Sequence, residues 1–393
     1  MLFFKDMNVT EKLIFVRVDF NVPMNKKGEI TDDTRIAASL PTLKHLLEQK
    51  ARVIAASHLG RPKGQKVPEF SLKPVAKRLS RLLSQTVEMA PECTGEDVEE
   101  LKSSLKPGHI LLLENLRFHK GEKDNDDDFA RRLAAGVDCY INDAFAACHR
   151  AHASIVGVPK HVKKSAAGFL LRQEIDYFDR ILHAPQKPYL AVLGGAKVAD
   201  KIPVMENLLN KADDILIGGA MAYTFFAAQG KKTGKSLVEK DKIGTAADIL
   251  KKAEQKKVNI HLPSDHLVSA SIEENSESEV IKGLPIPEDK MGVDIGPKTI
   301  EEYGKIISRA KTIFWNGPMG VFEVEPFSTG TLKTAEAIAG TKALSIVGGG
   351  DSVSALKKSG MDNKISHVST GGGAALELIA HETLPGLEAL SEK

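Results

Sequence analysis

The sequence predicts an α/β protein with parallel sheets, divided into two domains that a helix connects. Short apolar, β-prone segments alternate with amphipathic helical segments along the chain, and this alternation is typical of a parallel sheet built from βαβ units. The pattern is interrupted by one long helical segment at 168–182 and then restarts, so we expect this helix to bridge two domains. A length of 393 residues also fits two or three domains.

The composition indicates which kinds of binding partner and which cellular compartment to expect. With 42% hydrophobic and 27% charged residues, the chain has the balance of a globular protein. A net charge of +2, 5% aromatic residues and no long apolar run favour neither a nucleic-acid nor a membrane partner. The three cysteines, Cys93, Cys139 and Cys148, form no C-x-x-C pair, and the N-terminus lacks the apolar core of a signal peptide. We therefore expect no disulfide or zinc site, and a cytoplasmic location.

In the first half, the predicted strands are 13–18, 52–56, 110–113 and 139–141. A helix is predicted at 71–83, where Ser71 can cap, Pro74 falls in the first turn and apolar residues recur on one face. A further helix is expected to begin near 31–34.

Polar and basic residues follow these strands or open the helix after them. They are Asp19, Asn21, Arg35, His58, Arg61, Arg117 and Arg150. The carboxyl ends of parallel strands meet at one edge of a sheet, where α/β proteins bind ligands. Arginine suits carboxylate and phosphate groups. The first half therefore predicts a site for a small, multiply charged anion.

Each of these residues taken alone also fits a purely structural role. Asp19 and Asn21 can satisfy backbone groups at a strand-to-turn junction. A single arginine is usually a solvated surface charge, and His58 alone fits a structural histidine. No carboxylate or cysteine at helical spacing completes a metal-ligand set with His149 and His152. Only their repetition at successive strand ends favours the anion site.

In the second half, the predicted strands end on glycine instead of arginine. They are 189–193, 215–217, 312–315, 344–347 and 368–369. Glycine lets the backbone approach a ligand closely, and the N-terminus of a following helix attracts phosphate. Lys197 and Lys201 can reach phosphate oxygens, Asp351 can bind Mg²⁺, and Ser352 can donate to a phosphate. This half therefore predicts a nucleotide-phosphate site.

Two known nucleotide motifs do not account for this site. The segment 230–236 resembles a P-loop but has three residues between its glycines instead of four, and it follows a predicted helix at 221–229. We predict a loop with solvated lysines. No G-x-G-x-x-G opens a βαβ unit, which disfavours the alternative of an NAD-dependent dehydrogenase of a small anionic metabolite.

Taken together, nine segments resemble the phosphoglycerate kinase family over essentially the whole chain. They are 16–23, 30–36, 57–64, 114–118, 149–154, 194–198, 294–299, 315–323 and 348–352. The resemblance implies two Rossmann-like domains with parallel sheets, joined by a long helix and a hinge. It places a phosphoglycerate-binding domain at 1–170, the interdomain helix at 171–185 and a nucleotide-binding domain at 186–375, with a C-terminal tail, 376–393, packing back on the first domain.

The resemblance also implies an activity: reversible phosphoryl transfer from 1,3-bisphosphoglycerate to ADP in glycolysis, giving 3-phosphoglycerate and ATP, with Mg²⁺ and as a monomer. The positions that match those holding phosphoglycerate are Asp19, Phe20, Asn21, Arg35, His58, Leu59, Gly60, Arg61, Arg117 and Arg150. Those matching the nucleotide site are Gly195, Lys197, Lys201, Gly292, Asn316, Pro318, Glu323, Gly349, Gly350, Asp351 and Ser352, with Asp351 as the metal ligand. Those facing the transferring phosphoryl are Arg35, Lys197, Gly371 and Gly372.

One loop departs from the family pattern. Ala146, Ala147 and Cys148 precede His149 where a glycine and a hydroxyl are usual, so the path of this loop is left open.

The residue types predict how the site works. They include many cations and no evident general base, which suits a carboxylate nucleophile that is already ionised, with a pKa of about 4. We therefore expect Asp19 to brace Arg35 and to accept from a substrate hydroxyl, instead of removing a proton. The two predicted sites belong to different domains, so we expect them to meet by closure about the hinge.

Overall fold

The computed structural model describes residues 2–391, which divide into two units. Unit 1 runs to Asp176 and resumes at Thr383, and unit 2 is Tyr177–Glu382. The boundary between them falls inside one long helix, α6 (Phe169–Leu182). A helix is therefore present where the long helical segment at 168–182 was predicted.

Unit 1 is built on a six-stranded sheet in which every neighbouring pair is parallel. Its strands are β1 (Leu13–Arg17), β2 (Arg52–Ala56), β3 (Val87–Met89), β4 (Ile110–Leu112), β5 (Cys139–Asn142) and β6 (Ser165–Ala167), in the spatial order β3-β4-β2-β1-β5-β6. Its helices are α1 (Thr34–Glu48), α2 (Lys73–Leu83), α3 (Glu96–Ser104), α4 (Lys120–Lys123), α5 (Asp127–Leu133) and α14 (Pro385–Ser391).

The register of the central strand β1 sets the position of the polar strand ends. All five residues of β1 are buried, and its last residue, Arg17, lies opposite Ala56 of β2 and Asn142 of β5. On the far side of β2, Ala55 lies opposite Leu112 of β4. The segments that follow these strands therefore leave the sheet at one edge.

Unit 2 contains a second six-stranded parallel sheet, in the order β15-β14-β13-β7-β8-β9. Its strands are β7 (Tyr189–Leu193), β8 (Asp214–Ile217), β9 (Asn259–His261), β13 (Thr312–Asn316), β14 (Leu344–Gly348) and β15 (His367–Val368). The helices are α7 (Ile202–Leu208), α8 (Met221–Ala228), α9 (Ile243–Lys256), α10 (Pro297–Arg309), α11 (Thr329–Ala339), α12 (Gly350–Ser359) and α13 (Gly373–His381).

A separate antiparallel sheet of unit 2 was not predicted. Its strands are β10 (Asp265–Ser269), β11 (Ser278–Lys282) and β12 (Met291–Ile295), in the order β11-β10-β12. The edge strand β11 is mostly exposed and polar, so it lacks the apolar run that identifies a buried strand.

The α/β class with two parallel sheets is confirmed. Each predicted strand is present with bounds shifted by at most one residue. Helix α1 begins at Thr34, as expected, whereas α2 begins at Lys73 with Leu72 at its N-cap. Ser71, the predicted cap, donates its hydroxyl to Glu114 at 2.7 Å, and its Oγ accepts from the Lys73 N–H at 3.3 Å. No helix within residues 2–391 is both long enough and apolar enough to cross a membrane.

The C-terminal segment returns to unit 1 later than residue 376. Helix α13 belongs to unit 2, and the chain rejoins unit 1 only from Thr383. In α14, the Gly386 N–H donates to the Cys148 carbonyl at 2.9 Å. Helix α14 therefore packs against the loop whose sequence departs from the family pattern.

Asp143 links the end of β5 to the start of α6. Its Oδ1 accepts from the backbone N–H groups of Leu170 at 2.9 Å and Leu171 at 3.2 Å. Burial raises the pKa of Asp143 from 3.8 to about 7, although hydrogen bonds oppose the shift. The folded state therefore holds a proton that the unfolded state releases above about pH 4, and this contribution to stability is lost as the pH rises through about 7.

We expect Asp143→Asn to flatten this pH dependence. Between about pH 4 and 7, the free energy of unfolding should fall with pH more steeply in the wild type, by up to about 1.4 kcal/mol per pH unit. Urea unfolding followed by circular dichroism measures both slopes. Asp294 of unit 2 has a similarly raised pKa and is unchanged in the variant, so the difference isolates Asp143. Parallel pH profiles would contradict the assignment.

Candidate active site

A cluster of cationic side chains lies at the carboxyl edge of the unit 1 sheet. Asp19 follows β1 and is 8% exposed, and its Oδ2 accepts from Arg35 Nη1 in an ion pair. Arg35 stands in the first turn of α1, and its side chain is 36% exposed. Asp19 thus braces Arg35, as predicted, and leaves the guanidinium partly open to solvent.

Gly60, in the loop after β2, is hydrogen-bonded through its backbone to the side chains of Asn21 and of Arg117, which lies in the loop after β4. Asn21 Oδ1 accepts from the Gly60 N–H at 2.9 Å, and the Gly60 carbonyl accepts from Arg117 Nη1 at 2.8 Å. Gly60 has φ +61°, and a Cβ there would lie 2.3 Å from the Phe70 ring. Glycine is therefore required where this loop folds back against Phe70.

Phe20 and Leu59, two of the predicted phosphoglycerate-binding residues, have their side chains in the unit 1 core. The Phe20 N–H donates to Ser57 Oγ at 2.8 Å, and both backbone groups of Leu59 pair with the Asn115 amide. These two residues hold the loops in place and do not present side chains at the edge.

The three remaining arginines differ in exposure. Arg61 is exposed, Arg117 is 6% exposed, and Arg150 is half-buried with its Nε donating to His149 Nε2 at 3.0 Å.

The cationic groups of the cluster shift each other's pKa values. Burial, and to a smaller extent the nearby charges of Arg150 and Arg17, lower the pKa of Arg117 to about 10. Burial, followed by the charges of Arg17, Arg117, Arg150 and His152, holds the pKa of His58 well below 6.5. Positive charge is concentrated here beyond what the neighbouring carboxylates balance, which favours an anionic ligand.

Three residues in or bonded to this cluster were not among the predicted site residues: Arg17, Glu122 and Ser154. Arg17 is fully buried at the end of β1. A charged residue inside an apolar strand was the available signal, because arginine is almost never fully buried unless it is paired. Glu122 lies on the short, charged helix α4 and Ser154 in a single π-helical turn, Ala153–Gly157, and neither carries a comparable signal.

In unit 2, the glycine-containing segments that follow the paired strands β7 and β13 approach each other closely. The Gly194 N–H donates to the Asn316 carbonyl at 3.0 Å, and the Gly195 N–H donates to the Pro318 carbonyl at 2.9 Å. A Cβ on Gly194 would lie 2.1 Å from the Pro318 carbonyl oxygen, and one on Gly317 would lie 2.1 Å from the Gly194 oxygen. Close backbone approach therefore accounts for both glycines.

Beside this close approach lies a cavity of about 410 Å³. The predicted residues that line it are Gly195, Lys197, Lys201, Asn316, Pro318, Gly349, Gly350, Asp351, Ser352 and Gly372. Helices α12 and α13 begin at Gly350 and Gly373, both on the cavity wall. Two helix N-termini therefore offer unpaired backbone N–H groups at one cavity, which suits phosphate.

The two lysines of this cavity differ in environment. Lys197 is exposed, whereas Lys201 is 9% exposed and donates to Asn316 Oδ1. Burial lowers the pKa of Lys201 to about 8, although Asp200 and Asp351 oppose the shift. Asn316 also donates to the Gly348 carbonyl at 2.7 Å. Asn316 thus positions Lys201 against the end of β14.

A second cavity of about 250 Å³ shares Gly195, Pro318 and Asp351 with the first, and Gly292 and Glu323 line it. A Cβ on Gly292 would lie 1.6 Å from the Tyr223 hydroxyl oxygen, which explains the glycine. The two cavities adjoin along their shared residues.

The remaining predicted residues are placed as follows. Gly371 is buried and donates its N–H to Ser369 Oγ at 3.1 Å, whereas Gly372 lines the larger cavity with φ +53°. Ser352 is fully buried, and its Oγ accepts from the Gly317 N–H. The segment 230–236 lies outside helices and strands with its lysines exposed, so the predicted loop is confirmed.

The close approach at Gly317 predicts a stability effect. Gly317 has φ +97° and no room for a Cβ, so Gly317→Ala should lower the free energy of unfolding of unit 2 by at least about 2 kcal/mol. Trp315, the only tryptophan, lies in β13, so its fluorescence reports urea unfolding of this unit.

The matched control is Gly304→Ala in α10, where a Cβ meets no atom within 4 Å. This change should stabilise by up to about 1 kcal/mol, because alanine is the better helix former. Equal effects of the two substitutions would contradict the packing argument.

Comparison with known proteins places the chain in a family. A family model described as phosphoglycerate kinase matches residues 4–382. A phosphoglycerate kinase from Anaeromyxobacter dehalogenans is 52% identical over 388 residues, 98% of each chain. One from Solibacter usitatus is 53% identical over 390 residues, again 98% of each chain.

Comparison with solved structures indicates the same family. The phosphoglycerate kinase from Coxiella burnetii is similar with a TM-score of 0.92 and 42% identity, covering 100% of this chain and 99% of that one. The enzyme from Pyrococcus horikoshii OT3 is similar with a TM-score of 0.87 and 36% identity, covering 100% and 98%. With the family model, both relatives and both structures extending over nearly all of its length, the chain belongs to the phosphoglycerate kinase family.

Proposed function

We propose that the chain transfers a phosphoryl group reversibly between 1,3-bisphosphoglycerate and ADP, giving 3-phosphoglycerate and ATP. The proposal rests on one observation about this molecule. A cationic cluster lies at the carboxyl edge of the parallel sheet of unit 1, and a glycine-rich cavity with two helix N-termini lies at the carboxyl edge of that of unit 2. A small anion and a nucleotide phosphate chain are the two ligands that these surfaces suit.

Phosphoglycerate binds at the cationic cluster of unit 1. Arg35, Arg61, Arg117 and Arg150 supply donors for its phosphate and carboxylate, and His58 and Asn21 supply neutral polar groups. Asp19 fixes Arg35 by their ion pair and accepts from the hydroxyl of the substrate. Phe20, Leu59 and Gly60 contribute through the backbone of the loops that carry these groups.

The nucleotide binds in the two adjoining cavities of unit 2. Its phosphates lie against Gly349, Gly350 and Gly372, where α12 and α13 begin, and Lys197 and Lys201 add positive charge. The smaller cavity takes the nucleoside, with Gly292 beneath it and the exposed Glu323 carboxylate able to accept from ribose hydroxyls.

The residues of this cavity fit a magnesium ion held mainly by the nucleotide. Within residues 2–391 there is no group of three or more His, Cys, Asp or Glu side chains that could hold a metal. Asp351 is exposed at the start of α12 and lines both cavities. One carboxylate suits Mg²⁺, which keeps several waters and binds substrate phosphates. When bound, the ion neutralises phosphate charge.

The reaction requires the protein to neutralise the charge on the phosphoryl group and to align the two substrates. The attacking carboxylate of 3-phosphoglycerate is ionised at pH 7, with a pKa of about 4, so no base has to remove a proton. Two anions must be held in line although they repel each other. Arg35 and Lys197, with the N-H groups near Gly372, offset the charge on the transferring phosphoryl. The two bound substrates meet by closure of the units, which excludes water.

We further infer that the protein acts in the cytoplasm, and the monomeric state stays a prediction from the family resemblance. Its three cysteines are all free and buried, which is typical of proteins in a reducing compartment.

A coupled assay tests the proposal directly. Well-folded protein should form ATP and 3-phosphoglycerate from 1,3-bisphosphoglycerate and ADP, with a requirement for Mg²⁺. The relatives named above are all kinases and none supports the dehydrogenase alternative. Absence of transfer with folded protein would refute the proposed activity.

Arg35→Ala should lower kcat far more than it raises the KM for the nucleotide, because Arg35 faces the phosphoryl and lies on unit 1. Losing one preorganised charge-stabilising donor costs about 100-fold or more in kcat. Steady-state kinetics measures both constants. Arg131→Ala is the control, since Arg131 is an exposed arginine of unit 1 paired with Asp128 and should leave both unchanged. An unaltered kcat for Arg35→Ala would remove Arg35 from the reaction.

Lys197→Ala should also lower kcat by about 100-fold, because its charge is expected to follow the moving phosphoryl. The exposed Lys235 of the segment 230–236 gives the matched control, and Lys235→Ala should retain full activity. If Lys197→Ala instead raises only the KM for the nucleotide, Lys197 serves binding alone.

A further inference from the structure

A buried chain of hydrogen bonds lies beneath the cationic cluster of unit 1. Glu122 is 0% exposed and accepts from Ser154 twice, from its N–H at 2.9 Å and from its hydroxyl at 2.7 Å. The hydroxyl oxygen of Ser154 in turn accepts from Arg17 Nε at 2.8 Å. Arg17 Nη2 lies 3.1 Å from His58 Nδ1. Glu122 is thus connected to His58 through two fully buried side chains.

This chain determines which nitrogen of His58 carries the proton. A guanidinium has only donors, so His58 Nδ1 must accept from Arg17. The neutral ring then carries its proton on Nε2. The competing partner, Asp19 Oδ1, lies 3.8 Å from Nδ1, which is beyond hydrogen-bond distance. The other oxygen of Asp19 already holds Arg35.

The charges around His58 favour the same state. A proton on Nδ1 would face the guanidinium of Arg17, and Arg117, Arg150 and His152 also lie nearby. A neutral ring with a proton on Nε2 therefore gives the site a hydrogen-bond donor without adding another buried charge.

Glu122 supplies the counter-charge that lets Arg17 stay buried. Burial alone raises the pKa of Glu122, but contacts with His152, Arg17 and Ser154 outweigh it and lower the pKa. The carboxylate is therefore ionised beneath the cluster. Its position depends on the π-helical turn Ala153–Gly157, which presents both the N–H and the hydroxyl of Ser154 to it.

We propose that Arg17, Ser154 and Glu122 are positioning residues that hold His58 as a neutral donor with its proton on Nε2, directed to the anionic substrate of unit 1. The part of this proposal that names the substrate rests on the proposed function. The three residues act through His58 and do not themselves contact the substrate.

The tautomer is measured directly by NMR on the full chain labelled with ¹⁵N-histidine, with His58→Gln used to assign the signals. At neutral pH, the shifts should show a protonated Nε2 and a bare Nδ1 for His58. A proton on Nδ1, or a doubly protonated ring, overturns the proposal. This measurement needs no catalytic activity, so it is independent of the kinase assay.

Ser154→Ala tests the chain of hydrogen bonds. The KM for 3-phosphoglycerate should rise about tenfold, the equivalent of one lost hydrogen bond, while the KM for ATP stays unchanged. The two His58 tautomers should become mixed in the NMR spectrum. A Ser154→Ala protein that keeps the single tautomer and the wild-type KM overturns the proposal, even if it is less stable.

The control is Ser165→Ala in β6. Ser165 is also 0% exposed, and its hydroxyl has no hydrogen-bond partner among residues 2–391. This variant should keep both the tautomer and the KM. If Ser154→Ala does not fold, the tautomer of the wild type still decides the assignment. A wild-type protein with the assigned tautomer but no kinase activity would contradict the proposed function and not the hydrogen-bond chain.

Discussion

Parallel strand pairing is the constraint on which both candidate binding surfaces depend. In unit 1, the register places Arg17 opposite Ala56 and Asn142. In unit 2, it places Asn316 opposite Leu193 and Gly348. Because parallel strands all end at the same edge, segments far apart in sequence leave each sheet side by side. The two halves use this edge differently: in unit 1, cationic side chains lie on the segments that follow the strands, whereas in unit 2 the glycine-containing segments after β7 and β13 approach each other closely.

The cations clustered at one edge of the unit 1 sheet repel each other, and this repulsion must be offset when no ligand is bound. Two carboxylates contribute, Asp19 by pairing with Arg35 and Glu122 through Ser154 and Arg17. They do not cancel the repulsion entirely, because the charges of Arg150 and Arg17 add to burial, the larger cause, in lowering the pKa of Arg117. An anionic substrate would supply the missing negative charge. Unit 2 needs less counter-charge, because backbone N–H groups at helix N-termini carry only partial charges.

The sequence identified the strands and the residues at their ends because apolar runs and the polar residues after them are local signals. It missed the antiparallel sheet, since β11 is exposed and polar. It also missed Glu122, because an acidic residue on a short charged helix looks like a surface residue until the fold buries it. The difference between Gly371 and Gly372 depends on the exact path of the backbone, and a run of glycines carries no information about that path.

The proposed function requires the two anions to bind to different units of one chain. Two-dimensional NMR of the full ¹⁵N-labelled chain, titrated first with 3-phosphoglycerate and separately with ADP and Mg²⁺, tests it most directly. We expect 3-phosphoglycerate to shift first the amides of Asn21, Gly60 and Arg117, and the nucleotide to shift first those of Gly195, Gly350 and Gly372. Phosphoglycerate binding to the glycine-rich cavity of unit 2, with unit 1 unperturbed, would contradict this assignment of the two ligands.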